Sequence, residues 1–188
     1  MFINFLIILG AYGIGSIPTG FLLARLLGIR DIRSHGSGNI GATNIARVLG
    51  KKYFFIILLL DAGKAFIYLK FLQHSSVDQV LLYYAAIALL FGNVFSIFLH
   101  GQGGKGVATA IGSMCALQPV IVLYVFFVWF TIFVLTKTVG IASVSAAIIL
   151  PFVTWWYAPD NYALILFSIV CSVIITWRHQ ENIKKYLQ

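Results

Sequence analysis

The chain is built from long, uninterrupted apolar runs joined by short polar connections, and this pattern restricts it to a membrane protein. A helix needs roughly 20 apolar residues to cross about 30 Å of hydrocarbon. Only 10% of the residues are charged, whereas soluble domains average about 25%. We therefore predict an all-α membrane protein in which residues 1–188 form a single domain. Six runs are long enough to span: 3–27, 53–72, 80–99, 119–135, 140–157 and 162–177.

A shorter apolar run at 107–117 decides the number of spans. If it crosses the membrane, eleven of the 13 lysines and arginines fall on one side. Lysine and arginine concentrate on the cytoplasmic side. We therefore predict seven transmembrane helices, with the N-terminus outside and the C-terminus in the cytoplasm. A six-span arrangement would export Lys137 and the cations of the C-terminal tail.

The connection at 34–52 contains more glycine, amide and hydroxyl groups than a simple turn requires. Glycines permit close backbone approach and positive φ, and the forked guanidinium of Arg47 suits phosphate. Solvated membrane anchors would account for Arg30, Arg33, Lys51 and Lys52, but not for the interspersed glycines. We therefore predict an anion-binding loop. Its candidate residues are Ser37, Gly38, Asn39, Gly41, Thr43, Asn44 and Arg47.

A second polar segment, Gly103-Gly104-Lys105-Gly106, leads into the apolar run at 107–117. Free N–H groups at a helix N-terminus form an anion site, so we predict that these four residues bind a phosphate group. A tight turn is the alternative. The segment is not a Walker A loop, because Leu99 and Gly106 occupy positions where that motif needs glycine and a hydroxyl residue.

The third polar segment, 178–182, follows the last apolar run. A membrane stop signal would explain Arg178, whereas His179 and Asn182 would share a face if the helix continues. Within the second apolar run, Asp61 and Lys64 have the same i, i+3 spacing. We predict that they form a structural ion pair, since an unpaired charge there is costly.

Several kinds of chemistry are excluded by residues that the sequence lacks. It has no G-x-S-x-G nucleophile motif, no histidine followed five positions later by aspartate, and no carboxylate cluster for magnesium. We expect no metal and no cofactor. The net charge of +8 favours anionic lipids and phosphorylated substrates rather than nucleic acid, because the chain offers no soluble basic face. A carrier for phosphorylated metabolites and a lipid-binding accessory subunit are the alternatives to an enzyme.

Three segments resemble the motifs of the bacterial acyl-phosphate:glycerol-3-phosphate acyltransferase family. They are SGNIGATNIAR at 37–47, GGKGVAT at 103–109 and RHQENI at 178–183. The resemblance covers essentially the whole chain. It implies a seven-helix enzyme of the bacterial inner membrane, acting on its cytoplasmic side. Such an enzyme transfers an acyl group from acyl phosphate to glycerol-3-phosphate, without a metal or an acyl-enzyme, and starts phospholipid synthesis. An enzyme that forms acyl phosphate would be its partner.

Applied to this sequence, the resemblance and the residue chemistry give each polar group an expected role. The base that accepts the glycerol hydroxyl proton remains open between His179 and a substrate phosphate. We expect catalytic roles for Ser37, Arg47, Lys105, His179 and Asn182, and structural roles for Asp61, Lys64 and Glu181. Substrate-binding roles are expected for Gly38, Asn39, Gly41, Thr43, Asn44, Gly103, Gly104, Gly106 and Thr109.

The sequence departs from the family pattern just before the second motif. Where that pattern reads G-H-x-F-P and then K-F-K-G-G-K-G, this chain loses a histidine, a proline and two lysines. We expect a less positive loop and weaker anion affinity. The departures are Asn93, Ser96, His100, Gly101 and Gln102.

Overall fold

The computed structural model describes residues 2–75 and 77–188, and within these ranges it is helical with no β-strand. The prediction of an all-α protein is confirmed for this part of the chain. Two 3-10 turns, Ile32–Ser34 and Ile97–Leu99, lie in the polar connections. The α-helices are α1 Phe2–Ser16, α2 Thr19–Leu26, α3 Ala42–Leu49, α4 Lys52–His74, α5 Gln79–Val94, α6 Val107–Leu117, α7 Pro119–Thr136, α8 Val139–Tyr157, α9 Tyr162–Arg178 and α10 Gln180–Leu187.

Four helical stretches are long and apolar enough to cross a membrane, and the bent pair α9–α10 adds a fifth. Helix α4 has 23 residues but carries charges within its length, and α6 has only 11 residues. The count of seven spans and the orientation of the termini therefore remain predictions. The four stretches are Phe2–Leu26, Gln79–Leu99, Pro119–Thr136 and Val139–Tyr157.

Helix α5 lies at the centre of the bundle and α7 at its periphery. Eleven of the 16 residues of α5 are buried, whereas α7 buries only Ile121. Gly15 and Gly92 allow α1 and α5 to approach closely, because a Cβ atom at either position would overlap the backbone of the opposite helix. Small residues at helix contacts and large apolar side chains on the outside are typical of a bundle surrounded by lipid.

The first apolar run is interrupted between α1 and α2, at Ile17 and Pro18. Proline lacks the N–H that would continue the helix, and α1 ends two residues before it, at Ser16. Lys64 of α4 donates hydrogen bonds to the carbonyl oxygens of Gly15 at 2.9 Å and Ile17 at 2.8 Å. The break is therefore held in place by a cation from another helix.

The predicted ion pair between Asp61 and Lys64 is confirmed, with 2.7 Å between the carboxylate oxygen and Nζ. The Thr19 hydroxyl, at the start of α2, donates to the same carboxylate at 2.7 Å. Both charged side chains are only about one-tenth exposed. Because each charge also bonds a group at the helix break, the pair fixes how α2 and the polar connection after it leave the bundle.

Candidate functional site

The connection at 34–52, here called the first polar loop, is organised around the buried side chain of Asn44. Its Oδ1 accepts a hydrogen bond from the Ser37 N–H at 2.7 Å, and its Nδ2 donates to the carbonyl oxygens of His35 at 3.0 Å and Asn39 at 2.8 Å. Gly36, with φ of +61°, packs so closely on this amide that a Cβ atom there would overlap it. Asn44 therefore shapes the loop, which differs from the direct substrate contact expected of it.

Residues 42–49 form helix α3, which the sequence did not lead us to expect inside the loop. Gly41 is the N-cap of this helix, and its N–H donates to Oδ1 of Asn39 at 2.7 Å in the turn just before it. Thr43 and Arg47 are i, i+4 neighbours on α3 and both are exposed, as is Ser37 in the preceding turn. The loop thus presents two hydroxyl groups and one guanidinium while its amide side chains hold it together.

The Gly103-Gly104 backbone docks on the C-terminal end of α5. The Gly103 N–H donates to the Val94 carbonyl at 3.0 Å, and the Gly104 N–H donates to the Asn93 carbonyl at 2.8 Å. These two amides are therefore not available to an anion, which corrects the expectation that all four residues of the segment offer their N–H groups. Within the described residues, the N–H groups of Lys105 and Gly106 have no acceptor.

Thr109 is also placed differently from its expected substrate contact. It is the third residue of α6, and its side chain is fully buried. Its hydroxyl finds no hydrogen-bond partner among the described residues. Thr109 therefore lies beneath the polar surface rather than on it.

The third polar segment bends where the last span ends. The axes of α9 and α10 differ by 56°, so His179 and Asn182 do not share a continuous helix. Arg178 does more than a membrane stop signal requires, because its side chain reaches the second polar segment, residues 103–106. Its Nε donates to the Gly104 carbonyl at 3.3 Å and its Nη2 to the Gly103 carbonyl at 3.2 Å. This long-range contact has no local signature in the sequence.

Lys105 is the point at which the three polar segments meet. Its Nζ donates a hydrogen bond to Oδ1 of Asn182. Burial lowers the pKa of Lys105, the Glu181 carboxylate opposes that shift, and three cations reinforce it. Because the cations outnumber the carboxylate, the surroundings of Lys105 favour an anion of more than one charge. The three cations are Arg178, Lys185 and Arg47.

His179 is buried beside this cluster. Its Nδ1 lies 2.8 Å from the Ile175 carbonyl oxygen, which can only accept, so Nδ1 carries the proton and Nε2 keeps its lone pair. Burial, together with the positive charges of Lys105 and Arg178, lowers the pKa of His179 to about 4. The imidazole is therefore neutral at pH 7 and is a weak proton acceptor.

Two departures from the family pattern make contacts of their own. Gln102 accepts a hydrogen bond from Nη1 of Arg33 at 2.8 Å, which links the first and second loops. Arg33 is also paired with Asp31 at 2.7 Å, and its guanidinium lowers the pKa of Asp31 to about 2. The Ser96 hydroxyl donates to the Ser16 carbonyl at 2.5 Å. A lysine at position 102 would stand beside Arg33, whereas glutamine joins the loops without repulsion.

A glycine outside the three motifs completes the site. Gly140, near the start of α8, packs against Asn182, and a Cβ atom there would lie 2.8 Å from Nδ2 of Asn182. Nothing around this glycine in the sequence distinguishes it from other glycines in apolar runs. It is needed because Asn182 has to reach Lys105 across the end of α8.

The fold and the site together define a helical membrane protein whose cationic site suits phosphate groups. The family model described as glycerol-3-phosphate acyltransferase matches residues 5–188, so the chain belongs to that family. The chain is 39% identical to the glycerol-3-phosphate acyltransferase of Aquifex aeolicus over 182 residues, covering 96% of this chain and 94% of the relative. It is 37% identical to the enzyme of Prochlorococcus marinus strain MIT 9312, covering 98% and 94% of the two chains.

Solved structures give the same result. The chain is similar to crystal structures of PlsY, an integral membrane glycerol 3-phosphate acyltransferase. The glycerol 3-phosphate form matches with a TM-score of 0.91 and 37% identity, covering 98% of this chain and 92% of the other. The lysophosphatidic acid form matches with a TM-score of 0.88 and 36% identity, covering 98% and 91%.

Replacing Gly140 with alanine is expected to lower kcat/KM roughly tenfold to a hundredfold, because the added methyl group pushes the Asn182 amide away from Lys105. The thermal midpoint should fall only slightly, since Cγ and Cβ of Asn182 lie 3.0 and 3.2 Å from the added methyl group and the start of α10 has to shift a little. Gly63→Ala is the matched control, because a Cβ atom there meets nothing within 4 Å. Equal activity of the two variants in a product-formation assay would contradict this account.

Proposed function

We propose that the protein transfers an acyl group from acyl phosphate to the 1-hydroxyl of glycerol-3-phosphate, giving 1-acylglycerol-3-phosphate and phosphate. Residues 1–188 act as one acyltransferase domain in the bacterial cytoplasmic membrane, at the first step of phospholipid synthesis. The observation that carries the proposal is the convergence of three cation-bearing segments on the partly buried Lys105. Two phosphate groups have to be held close together in this reaction, and such a cluster stabilises both.

The chemistry needs orientation more than it needs a protein nucleophile. The glycerol oxygen attacks the acyl carbon, the bond from that carbon to the phosphate oxygen breaks, and phosphate leaves. Because an acyl phosphate is a mixed anhydride with a good leaving group, no acyl-enzyme or metal ion is required. Holding both reactants in line can lower the barrier by about 7–11 kcal/mol in favourable cases.

The remaining donors of the site have a use in the transition state. Negative charge develops on the acyl oxygen as the tetrahedral centre forms, and fixed donors nearby stabilise it. The N–H groups of Lys105 and Gly106 are the donors we assign to this role, whereas the ammonium of Lys105 binds a phosphate group. The exposed Ser37, Thr43 and Arg47 of the first loop then bind phosphate oxygens.

The proton of the glycerol hydroxyl passes to a phosphate oxygen of the substrate in this scheme, and the low pKa of His179 supports this choice. A general base works best when its pKa lies near the working pH, and the second pKa of a phosphate ester is about 6. His179 then has a supporting role, through its hydrogen bond to Ile175 in the last turns of α9.

His179→Asn is expected to keep the acid limb of the pH profile of kcat/KM, because a phosphate and not the imidazole titrates there. Folding stability should behave differently. Between pH 6.5 and 4 the unfolded chain binds a proton that the folded chain does not, so wild-type stability falls as the pH drops through this window. The variant should lose that part of the decline. Disappearance of the acid limb of kcat/KM in His179→Asn would make His179 the base.

We also propose seven spans, with the active site on the cytoplasmic side. Hydrogen bonds from Arg178 to Gly103 and Gly104 support this topology, because they need positions 103 and 178 on the same side of the membrane. Helices α7, α8 and α9 contribute three crossings between those positions. Two positions on the same side are separated by an even number of crossings, so α6 must supply the fourth. The N-terminus is then outside, and the cations face the cytoplasm as the positive-inside rule requires.

The donor can be tested with purified protein, glycerol-3-phosphate and either palmitoyl phosphate or palmitoyl-CoA, in the presence of EDTA. We expect lysophosphatidic acid from palmitoyl phosphate alone, and a loss of about a hundredfold or more in kcat/KM for Arg47→Gln. Lys52→Gln, which removes a cation of the same connection, should stay near wild type. Product from palmitoyl-CoA alone, or no product without a divalent metal, would overturn the proposed reaction.

The same chemistry specifies the partner. Acyl phosphate has to be made by another enzyme from an activated acyl group and phosphate, and its long apolar chain is delivered at the membrane. The exposed apolar faces of the outer helices give such a chain access to the bundle from the lipid. We therefore propose that the partner class is the enzyme that forms acyl phosphate.

A further inference from the structure

The Gly103-Gly104 backbone is held from two opposite directions. Its two N–H groups donate to the Val94 and Asn93 carbonyls at the end of α5, and its two carbonyl oxygens accept from the guanidinium of Arg178. A peptide segment bonded through both its donors and its acceptors has a fixed orientation. The direction in which the next residue, Lys105, leaves the segment is fixed with it.

Arginine is suited to this contact in a way that lysine is not. The planar fork of Arg178 uses Nε and Nη2 for two consecutive carbonyl oxygens, at 3.3 and 3.2 Å. An ammonium is a point charge without that fixed geometry. The two bonds also bring the positive charge of the guanidinium next to the carbonyl oxygens. The partial negative charge of these oxygens would otherwise repel an anion near Lys105.

The guanidinium of Arg178 also lies against an aromatic ring, which in turn packs on a second one. Its central carbon lies 5.6 Å from the centre of the Trp177 ring, and that ring lies 5.9 Å from the ring of Phe95. Phe95 directly follows the α5 carbonyls on which the glycines dock. Contacts of this kind between arginine and aromatic rings are favourable. The end of α5, the glycine loop and the end of α9 therefore form one interlocked unit.

We propose that Arg178 is a positioning residue, which holds the Gly103-Gly104 carbonyls so that Lys105 faces the phosphate of the substrate. The inference rests on the proposed function of the site. In this role Arg178 affects substrate binding through the Gly103-Gly104 backbone. Its own hydrogen bonds stay the same during the reaction. Loss of Arg178 should therefore raise KM more than it lowers kcat, since such a loss weakens ground-state and transition-state binding alike.

The test uses full-length protein and measures KM for glycerol-3-phosphate and for the acyl donor separately from kcat. For Arg178→Lys and Arg178→Gln we expect KM for at least one substrate to rise about tenfold, with kcat within about threefold of wild type. Methylguanidinium added to Arg178→Ala should restore part of the lost KM. Lys184→Gln is the control, because Lys184 makes no hydrogen bond or ion pair with the described residues.

Two results would overturn the proposal. Unchanged KM values with a reduced amount of active, folded protein would show that Arg178 has a structural role only. Unchanged KM values with kcat reduced about a hundredfold would make it a catalytic residue. A failure of the proposed donor is seen separately, because it changes which donor the wild type uses. KM for glycerol-3-phosphate still reports on Arg178 in that case.

Discussion

The docking of the Gly103-Gly104 backbone between the end of α5 and Arg178 is the constraint on which the rest of the site depends. It requires glycine, because a Cβ atom at position 103 would overlap the backbone of Asn93 and Val94. It brings the last span to the second polar loop, and with it Asn182 to Lys105. Without this docking, the cations of the three segments would be ordinary membrane anchors.

Charge burial explains how so few polar groups can form the candidate site. Coulombic interactions strengthen as water is excluded, and Lys105 is partly buried among other cations. A bound phosphate relieves that repulsion, so the energy of bringing like charges together becomes affinity for an anion. The Asp61–Lys64 pair has the opposite character, since its charges neutralise each other and hold the break before the first loop.

The sequence predicted those features that follow from local spacing. Apolar runs located the helices, the bounds of α6 matched, and the i, i+3 spacing of Asp61 and Lys64 identified their ion pair. Motif resemblance identified the family, which the family model and the solved structures confirm. Apolar runs could not show helix α3, because it is short and lies in a polar loop whose helical register becomes clear only once Asn44 and Ile45 are buried.

Contacts between distant segments could not be predicted from the sequence. Arg178 looks like an anchor until its bonds to the glycine loop are seen, and Gly140 looks like any glycine of an apolar run. The amides of Gly103 and Gly104 looked free because the end of α5 that binds them is about ten residues earlier in the chain. Such roles depend on which helices and loops are in contact, and local patterns in one sequence do not show those contacts.

Labelling of Lys105 tests the central claim most directly, namely that the segments converge there to hold a phosphate group. A lysine-modifying reagent followed by mass spectrometry would give the modified fraction of Lys105, with Lys70 as internal reference. We predict that glycerol-3-phosphate and inorganic phosphate protect Lys105, that glycerol does not, and that Lys70 is unaffected. Modification of Lys105 at the same rate with and without saturating glycerol-3-phosphate would contradict the account.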